Sequence, residues 1–339
     1  PTLKEKIDMP VRWAIAGPGR IARIMAAEFP QVEQARLVAV GARPEDHAEA
    51  FANGFGLELL GYEELFARDD IDAVYLSTPH AFHTDLALRA IAAGKAVLVE
   101  KSFTTRVEDA LRIVDAARER GVFVMEGMWT RCLPAMVRLR ELVAAGAIGQ
   151  VRSIQGDLFA HRDFDPADRL FSAALGGGAV LDLGVYVLAF AVDLLGAPDR
   201  VQAVGGLMPN GVDGEVGMQL GYADGRFASL AVSFKAHGPG RMMVCGDRGW
   251  IDVPPRFHRM EELVLHRAGR SPERLSLPKV SAGYVHELRH ASDCIARGMT
   301  ESPLIPLADT LEVQRLMAAV IGQVAVPPRG RGVPSRRAD

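Results

Sequence analysis

Cysteine is scarce. The chain has three among 339 residues, Cys132, Cys245 and Cys294, far apart. No paired spacing suggests a disulfide framework or a thiolate metal site, and a reducing cytoplasm is the expected compartment. Neither sign of charge is in excess. A formal net charge of -3 offers no basic surface to nucleic acid or to an anionic membrane, so neither is expected as a partner. Long apolar runs are missing too: none approaches the ~20 residues that a membrane helix needs. The most apolar candidate, Val185 to Leu195, is interrupted by Asp193. The opening Pro1-Thr2-Leu3-Lys4-Glu5-Lys6 lacks the apolar centre of a signal peptide, and there are no internal repeats. What remains is 49% hydrophobic and 24% charged. That is the balance of a globular protein, long enough for two domains with their own cores.

The first chemistry-bearing stretch is strand-like, Val11-Arg12-Trp13-Ala14-Ile15-Ala16. It enters Gly17-Pro18-Gly19-Arg20-Ile21-Ala22, after which Ile24, Met25, Ala26 and Phe29 recur at helical spacing. Strand, glycine turn and helix in that order are the context in which G-x-G-x-x-A binds a dinucleotide. Gly17 permits the tight turn and Gly19 lets a pyrophosphate approach the backbone. Ala22 lets helix and strand pack closely, and the helix N-terminus, with Arg20 and Ile21, attracts the anion. A second buried strand, Ala35 to Arg43, follows. An NAD-specific site usually ends this strand with an acid on the ribose hydroxyls. Here the tip is Gly41-Ala42-Arg43-Pro44. Arg43 suits a 2'-phosphate, so NADP(H) is the favoured cofactor, while Glu45 and Asp46 keep NAD(H) open.

After a short strand, Leu57 to Gly61, another buried strand, residues 72–77, ends at Thr78-Pro79-His80-Ala81-Phe82-His83. Thr78, Pro79, His80 and His83 are expected beside the cofactor, the two histidines structuring the loop. The next strand, Ala96-Val97-Leu98-Val99, runs straight into Glu100-Lys101-Ser102. Burying both charges would cost several kcal/mol, roughly, without partners. They therefore belong at the strand's C-terminal end, where open α/β sheets bind ligands. Successive side chains point to opposite sides, so one charge can face a pocket while the other ties down the loop.

The alternation of strands and helices predicts an α/β fold whose first domain, residues 1–127, carries a parallel, doubly wound sheet. From residue 128 to 326 the pattern changes to an α+β domain. Strand-like runs at 150–159, 200–207, 215–222, 226–234, 241–246 and 249–253 imply a mixed or mainly antiparallel sheet with helices on one face. Ala179 to Leu195 reads as a long apolar helix, and the last helices fall near 284–297 and 308–325. The basic, Pro/Gly-rich tail, 327–339, is expected to be mobile.

Gly17-Pro18-Gly19-Arg20-Ile21-Ala22, Thr78-Pro79-His80 with His83, and Glu100-Lys101 resemble one family over nearly the whole chain. It is the family of NAD(P)-dependent oxidoreductases typified by glucose-fructose oxidoreductase and inositol dehydrogenase. Residues 125–131, 177–186 and 301–306 are similar to its branch of dimeric dihydrodiol dehydrogenases and NADP-dependent sugar 1-dehydrogenases such as D-xylose dehydrogenase. The resemblance implies hydride transfer between nicotinamide and a carbinol or carbonyl carbon of a sugar or vicinal diol. It also implies a Rossmann domain and a homodimer or homotetramer formed through the second domain's sheet. By the same resemblance Lys101 matches the active-site lysine beside the nicotinamide, and Asp182 and Tyr186 match the acid and the proton donor. Trp129 matches an aromatic wall of the substrate pocket, and Arg131, Arg152 and Phe159 fall near where the branch contacts substrate.

Elementary chemistry adds to this. Asp182 and Tyr186 are four apart and share a helix face. A free tyrosine, with a pKa of about 10, is a poor base at neutral pH, and a nearby ammonium lowers that value. Lys101 is expected to supply it, with Asp182 orienting substrate or lysine. One departure stands out: Ser102 replaces the family's proline after the lysine. A cis bond there is not expected, because the non-proline cis form costs roughly 2.5–4 kcal/mol. Two other readings stay open: a non-catalytic NADP(H)-binding sensor, and a glycosidase of the same family that uses bound NAD+. His286-Glu287-Leu288-Arg289-His290 matches the zinc-protease pattern. A catalytic zinc needs a third protein ligand, none is at hand, and the segment is read as an ordinary amphipathic helix with no metal.

Overall fold

The computed structural model describes residues 9–325. The expectations for the first six residues and for the 327–339 tail lie outside the described residues. The first sheet has the strands β1 (Val11–Ala16), β2 (Ala35–Gly41), β3 (Glu58–Leu60), β4 (Ala73–Leu76), β5 (Ala96–Glu100) and β6 (Val124–Gly127). All pair in parallel, in the order β3-β2-β1-β4-β5-β6. Every residue of β4 and β5 is buried, as strands covered on both faces require. Helices α1 (Arg20–Glu28), α2 (Glu49–Phe55), α3 (Tyr62–Ala67), α4 (His83–Ala92) and α5 (Val107–Arg120) connect them. In α1 the buried Ala22, Met25 and Ala26 share one face. The strand order reverses between β1 and β4, and a crevice opens at their carboxyl ends.

Helix α6 (Pro134–Ala144) leads into the second sheet, whose strands are β7 (Val151–Phe159), β8 (Arg200–Leu207), β9 (Asp213–Gly221), β10 (Phe227–Ser233), β11 (Met242–Gly246), β12 (Gly249–Val253), β13 (Glu262–Arg267) and β14 (Glu273–Ser276). The order is β14-β13-β12-β11-β7-β10-β9-β8. Only β7 and β10 pair in parallel; the other pairs are antiparallel. Along β9 the buried Val216, Met218 and Leu220 alternate with Glu215 and Gln219, so one face is core and the other is open. Strands β13 and β14 were not anticipated. β14, Glu-Arg-Leu-Ser, has no apolar alternation to announce it.

Helix α7 (Val185–Leu195) lies on the inner face of this sheet, beneath α9 (Leu307–Val324). Contrary to the expectation above, the segment Ala173–Leu195 is long and apolar enough to span a membrane; an 18-residue stretch of it has a mean hydropathy of 1.9, and 83% of that stretch is buried inside the protein. Asp193, which seemed out of place in it, pairs with Arg131 at 2.6 Å and Arg140 at 2.7 Å. Helix α8 (Tyr284–Ala296) returns to the first sheet, where Trp13 Nε1 donates to Ser292 Oγ at 3.0 Å. The Glu28 carboxylate, at the end of α1, accepts from Ser281 Oγ, Ala282 N and Val285 N at 2.7, 3.1 and 3.1 Å. It holds the start of α8 against the first domain.

Candidate active site

The cleft begins at the glycine turn. Gly17 has φ +98°, and a Cβ there would stand 2.8 Å from Thr78 Cγ2 and 3.0 Å from Thr78 N. Only glycine lets β1 turn so close to the end of β4. A cavity of about 420 Å³ opens beside it, lined by Gly17, Pro18, Gly19, Thr78 and Pro79 and, at its outer end, by Arg43, Asp46 and Phe82. Thr78 Oγ1 is buried without a protein partner. A bare backbone turn, an unpaired hydroxyl and a helix N-terminus suit a pyrophosphate, so the residues present fit a nicotinamide dinucleotide. Arg43 lines the cavity as expected, but its guanidinium is shared. It pairs with Asp46 at 2.7 Å and Glu45 at 3.4 Å, and lies 5.5 Å from the centroid of the Phe82 ring.

A second cavity of about 780 Å³ continues from the first, sharing Gly19, Ser77, Thr78 and Pro79 with it. Arg20, Ile21, His80, Glu100 and Lys101 line its near side, and Trp129, Asp182 and Tyr186 line the far side. Lys101, just past β5, reaches the second domain: its Nζ donates to the Asp182 carbonyl at 2.9 Å and to Asp182 Oδ1 at 3.1 Å. Asp182 sits in a π-helical turn, Val180–Gly184, that opens α7; the expected continuous α-helix begins only at Val185. Burial pushes the Asp182 carboxyl up, but the charges of Lys101 and Arg169 more than offset this, and the pKa falls to about 2.

Tyr186 does not meet the expectation of an ammonium-activated phenol. The Lys101 Nζ lies over its ring, 4.8 Å from the centroid. The phenol oxygen instead accepts from Trp129 Nε1 at 3.1 Å. Burial dominates and holds the Tyr186 pKa well above its usual range, so the hydroxyl is a neutral donor. Trp129 is itself stacked on Tyr284, with ring centroids 4.6 Å apart.

The loop after Lys101 carries a further correction. The Lys101–Ser102 peptide is cis, although proline is absent. Serine brings bonds that proline lacks: Ser102 N donates to His80 Nε2 at 3.2 Å, and its Oγ donates to the Leu181 carbonyl at 2.6 Å. His80 Nδ1 lies 2.9 Å from the Gly176 carbonyl. Burial, then the His83 and Lys101 charges, push the His80 pKa down to about 3, so it is neutral, with its proton on Nδ1. His83 lines neither cavity. It is fully buried, its ring nitrogens 2.9–3.1 Å from the carbonyls of Thr78, Ser102 and Phe103. It braces the loop through these carbonyls. Glu100 borders the cleft, but its carboxylate accepts from Tyr75 Oη and from Lys101 N, the latter at 3.1 Å.

Three expected substrate residues lie outside the cleft. Arg131 is buried between Asp193 at 2.6 Å and Asp309 at 2.7 Å. Both partners are remote in sequence, so a structural ion pair was invisible there. Arg152 is exposed at the start of β7, about 20 Å of strand away from the end that reaches the cleft. Phe159 has the wrong parity: its neighbours Leu158 and Ala160 line the cavity instead. His258, after β12, was missed. It lines the cleft with its ring 5.5 Å from that of Tyr186 and its Nδ1 unpartnered. Burial, with the charges of Arg259 and Lys101, pushes its pKa down to about 3. Nothing in the local pattern Arg-Phe-His-Arg announces it. In the zinc-protease pattern, Glu287 is fully buried without a partner and His290 Nε2 bonds Ser302 Oγ at 2.7 Å.

A dinucleotide cradle at a Rossmann crevice, opening onto a lysine–carboxylate–tyrosine cluster from a second domain, defines an NAD(P)-dependent oxidoreductase of CH–OH groups. Comparison with known proteins agrees. Residues 11–128 match the model of the oxidoreductase family with an NAD-binding Rossmann fold, and residues 136–252 match the GFO/IDH/MocA C-terminal domain. The chain belongs to the GFO/IDH/MocA family. It is 32% identical to trans-1,2-dihydrobenzene-1,2-diol dehydrogenase of Mus musculus, covering 89% of this chain and 93% of that protein. Among solved structures it resembles a 3-ketoreductase from Actinomadura kijaniata in complex with NADP and TDP-benzene. Identity there is 28% and the TM-score 0.82, covering 93% of this chain and 98% of the other. It also resembles an aldose-aldose oxidoreductase from Caulobacter crescentus complexed with glycerol. That match has 27% identity and a TM-score of 0.84, covering 93% and 97%.

Proposed function

We propose that the protein is an NADP(H)-preferring oxidoreductase acting on a hydroxyl or carbonyl carbon of a sugar or vicinal diol. The observation that carries the reading is the meeting of Lys101, Asp182 and Tyr186 at the end of β5, where the dinucleotide cradle opens into the larger cavity. Gly17, Gly19, Arg20 and Ile21 would hold the pyrophosphate, with Arg43 at the 2'-phosphate end. Bound there, the cofactor supplies the acceptor or donor of hydride. Lys101, kept in place by the ionised Asp182, points an ammonium at the substrate oxygen and stabilises charge developing on it. Tyr186, a neutral phenol positioned by Trp129, donates a proton to that oxygen in the reductive direction and is left as a phenolate, re-protonated from solvent; in the oxidative direction it takes the carbinol proton only after losing its own to solvent.

The named relatives, a dihydrodiol dehydrogenase, a 3-ketoreductase and an aldose oxidoreductase, support the choice of sugars and diols. The test is turnover of a panel of aldoses and trans-diols with NADP+ and, separately, NAD+. Reduction of NADP+ in preference to NAD+, abolished by Lys101→Ala, is the expected result. Tight NADP+ binding with no turnover would instead make the protein a sensor, and glycoside cleavage without net cofactor reduction would make it a glycosidase. Self-association through the second sheet is part of the same proposal. It is supported by the exposed Val204, Phe227 and Trp250, and light scattering at two protein concentrations checks it.

A further inference from the structure

Resting on that reading, we infer that the substrate carries an anionic group, a phosphate or a carboxylate, which docks on arginines at the second-domain side of the cleft. The larger cavity is lined by six cationic side chains and two carboxylates, in a chain whose net charge is -3. Of the arginines among them, only Arg169 lies near enough to these carboxylates for its charge to act on them. Asp182 is engaged by Lys101, and Glu100 is buried behind the lysine, accepting from Tyr75. Arg20 belongs to the glycine turn and Lys101 to Asp182. That leaves Arg162 and Arg169, on the segment after β7, and Arg256 and Arg259, on the segment after β12.

Among the described residues no carboxylate oxygen lies within 4.0 Å of these four guanidinium groups. Their own segment's acids are turned elsewhere. Asp165 Oδ1 accepts from Ala167 N at 2.9 Å and Asp168 Oδ1 from Leu170 N at 2.8 Å, and Asp163 does not line the cleft. By contrast, Arg131 and Arg140, outside the cleft, are both paired with Asp193. His161 and His237, stacked with ring centroids 5.0 Å apart, stand on the same side. Arg256 Nη1 donates to the Phe159 carbonyl at 3.1 Å, but guanidinium groups without a carboxylate partner, gathered at the rim of one cleft, raise the positive potential there, and their planar forks match phosphate or carboxylate oxygens. The cofactor does not account for them. Its phosphates would be held by the glycine turn and Arg43, which line the smaller cavity in the first domain.

The test compares matched ligands: an aldose, its 6-phosphate and its uronic acid, with the cofactor that the protein prefers. The expected result is a kcat/KM at least tenfold higher for one anionic member than for the neutral sugar, with the gap narrowing as salt is raised. The phosphate and uronate arms identify which anion is read. Arg162→Gln/Arg259→Gln is expected to lower the anionic-to-neutral ratio at least tenfold while the Kd for cofactor stays within twofold. Both side chains are exposed at the cleft rim, so folding is not at risk. Preference for the neutral sugar, a ratio unchanged in the double variant, or a variant that weakens cofactor binding would each overturn the inference. Fluorescence titration of the cofactor-loaded protein with the same ligands reads affinity without turnover. Turnover of neutral sugars alone leaves the oxidoreductase reading intact and defeats the anion subsite. Charge-selective binding with no turnover does the reverse, and equal affinity for charged and neutral sugars defeats the subsite too.

Discussion

At the scale of the residue, Tyr186 and Lys101 are assigned different work, and the difference is measurable. Tyr186→Phe keeps the ring beneath the Lys101 ammonium but removes the hydroxyl, and with it both the proton and the acceptor of Trp129 Nε1, so kcat should fall about 10²- to 10⁴-fold with cofactor affinity unchanged. Lys101→Ala removes the charge and also frees the Asp182 carboxylate in a buried site. The loss should be at least as large, and the two losses should not add in the double variant. His258 has the profile of a substrate contact, with a neutral imidazole, an unpartnered Nδ1 and a place in the cleft wall. His258→Phe should raise KM roughly tenfold, the scale of one lost hydrogen bond, with kcat little changed. An equal drop in kcat would refute that role. Gly17 was legible in the sequence from a local motif, and Lys101 and Tyr186 from the family resemblance, to which the strand-end placement and the i,i+4 spacing only added. His258 and the four arginines were not. They lie in irregular segments, and only the tertiary fold turns them inward.

At the scale of the element, the turn that presents Asp182 is held by residues distant in sequence. Val180 N donates to Asp213 Oδ2 at 2.6 Å, so the cap of this helix comes from the start of β9. The fit is close: Gly178 has φ +118°, and a Cβ on it would stand 2.3 Å from Asp213 Oδ1. Ser102 Oγ binds the Leu181 carbonyl from the other side, joining the lysine loop to the same turn. Asp213→Ala should therefore cost about 1–2 kcal/mol of stability, and Ser102→Ala about 1–3 kcal/mol, because a buried carbonyl is left unpaired. Denaturant midpoints at constant slope measure both costs. If the turn positions Asp182, both variants should also lose kcat. Stability losses without that drop would confine the turn to folding. The apolar run 179–195 announced a buried helix, but not its π-helical opening, because that depends on contacts from β9 and the lysine loop. Strand β5 was legible for the opposite reason: a continuous apolar run ending in charges admits few other placements.

At the scale of the whole molecule, the seam between the two domains contains a titrating acid. Glu126, at the end of β6, accepts from Phe103 N at 3.2 Å and from Thr310 Oγ1 of α9 at 3.1 Å. Burial outweighs these bonds and raises its pKa from 4.5 to about 7. A carboxyl with a raised folded pKa favours the fold fully below the unfolded value and loses that contribution as pH climbs to the folded one. The window is therefore about pH 4.5 to 7, and the loss across it is on the order of 3 kcal/mol. His80 and His258, both held near a pKa of 3, act in the opposite sense. They add stability as pH rises from about 3 to 6.5, so the wild-type profile alone would hide the Glu126 contribution. The difference between Glu126→Gln and wild type cancels the histidines. That difference should be flat below about pH 4.5 and shift in favour of the variant by about 3 kcal/mol by pH 7, in urea unfolding followed by tryptophan fluorescence. A difference that does not change with pH would mean that Glu126 is ionised in its buried place. In that case Thr310, Phe103 and the nearby charge of Arg131 would be holding a carboxylate across the domain seam.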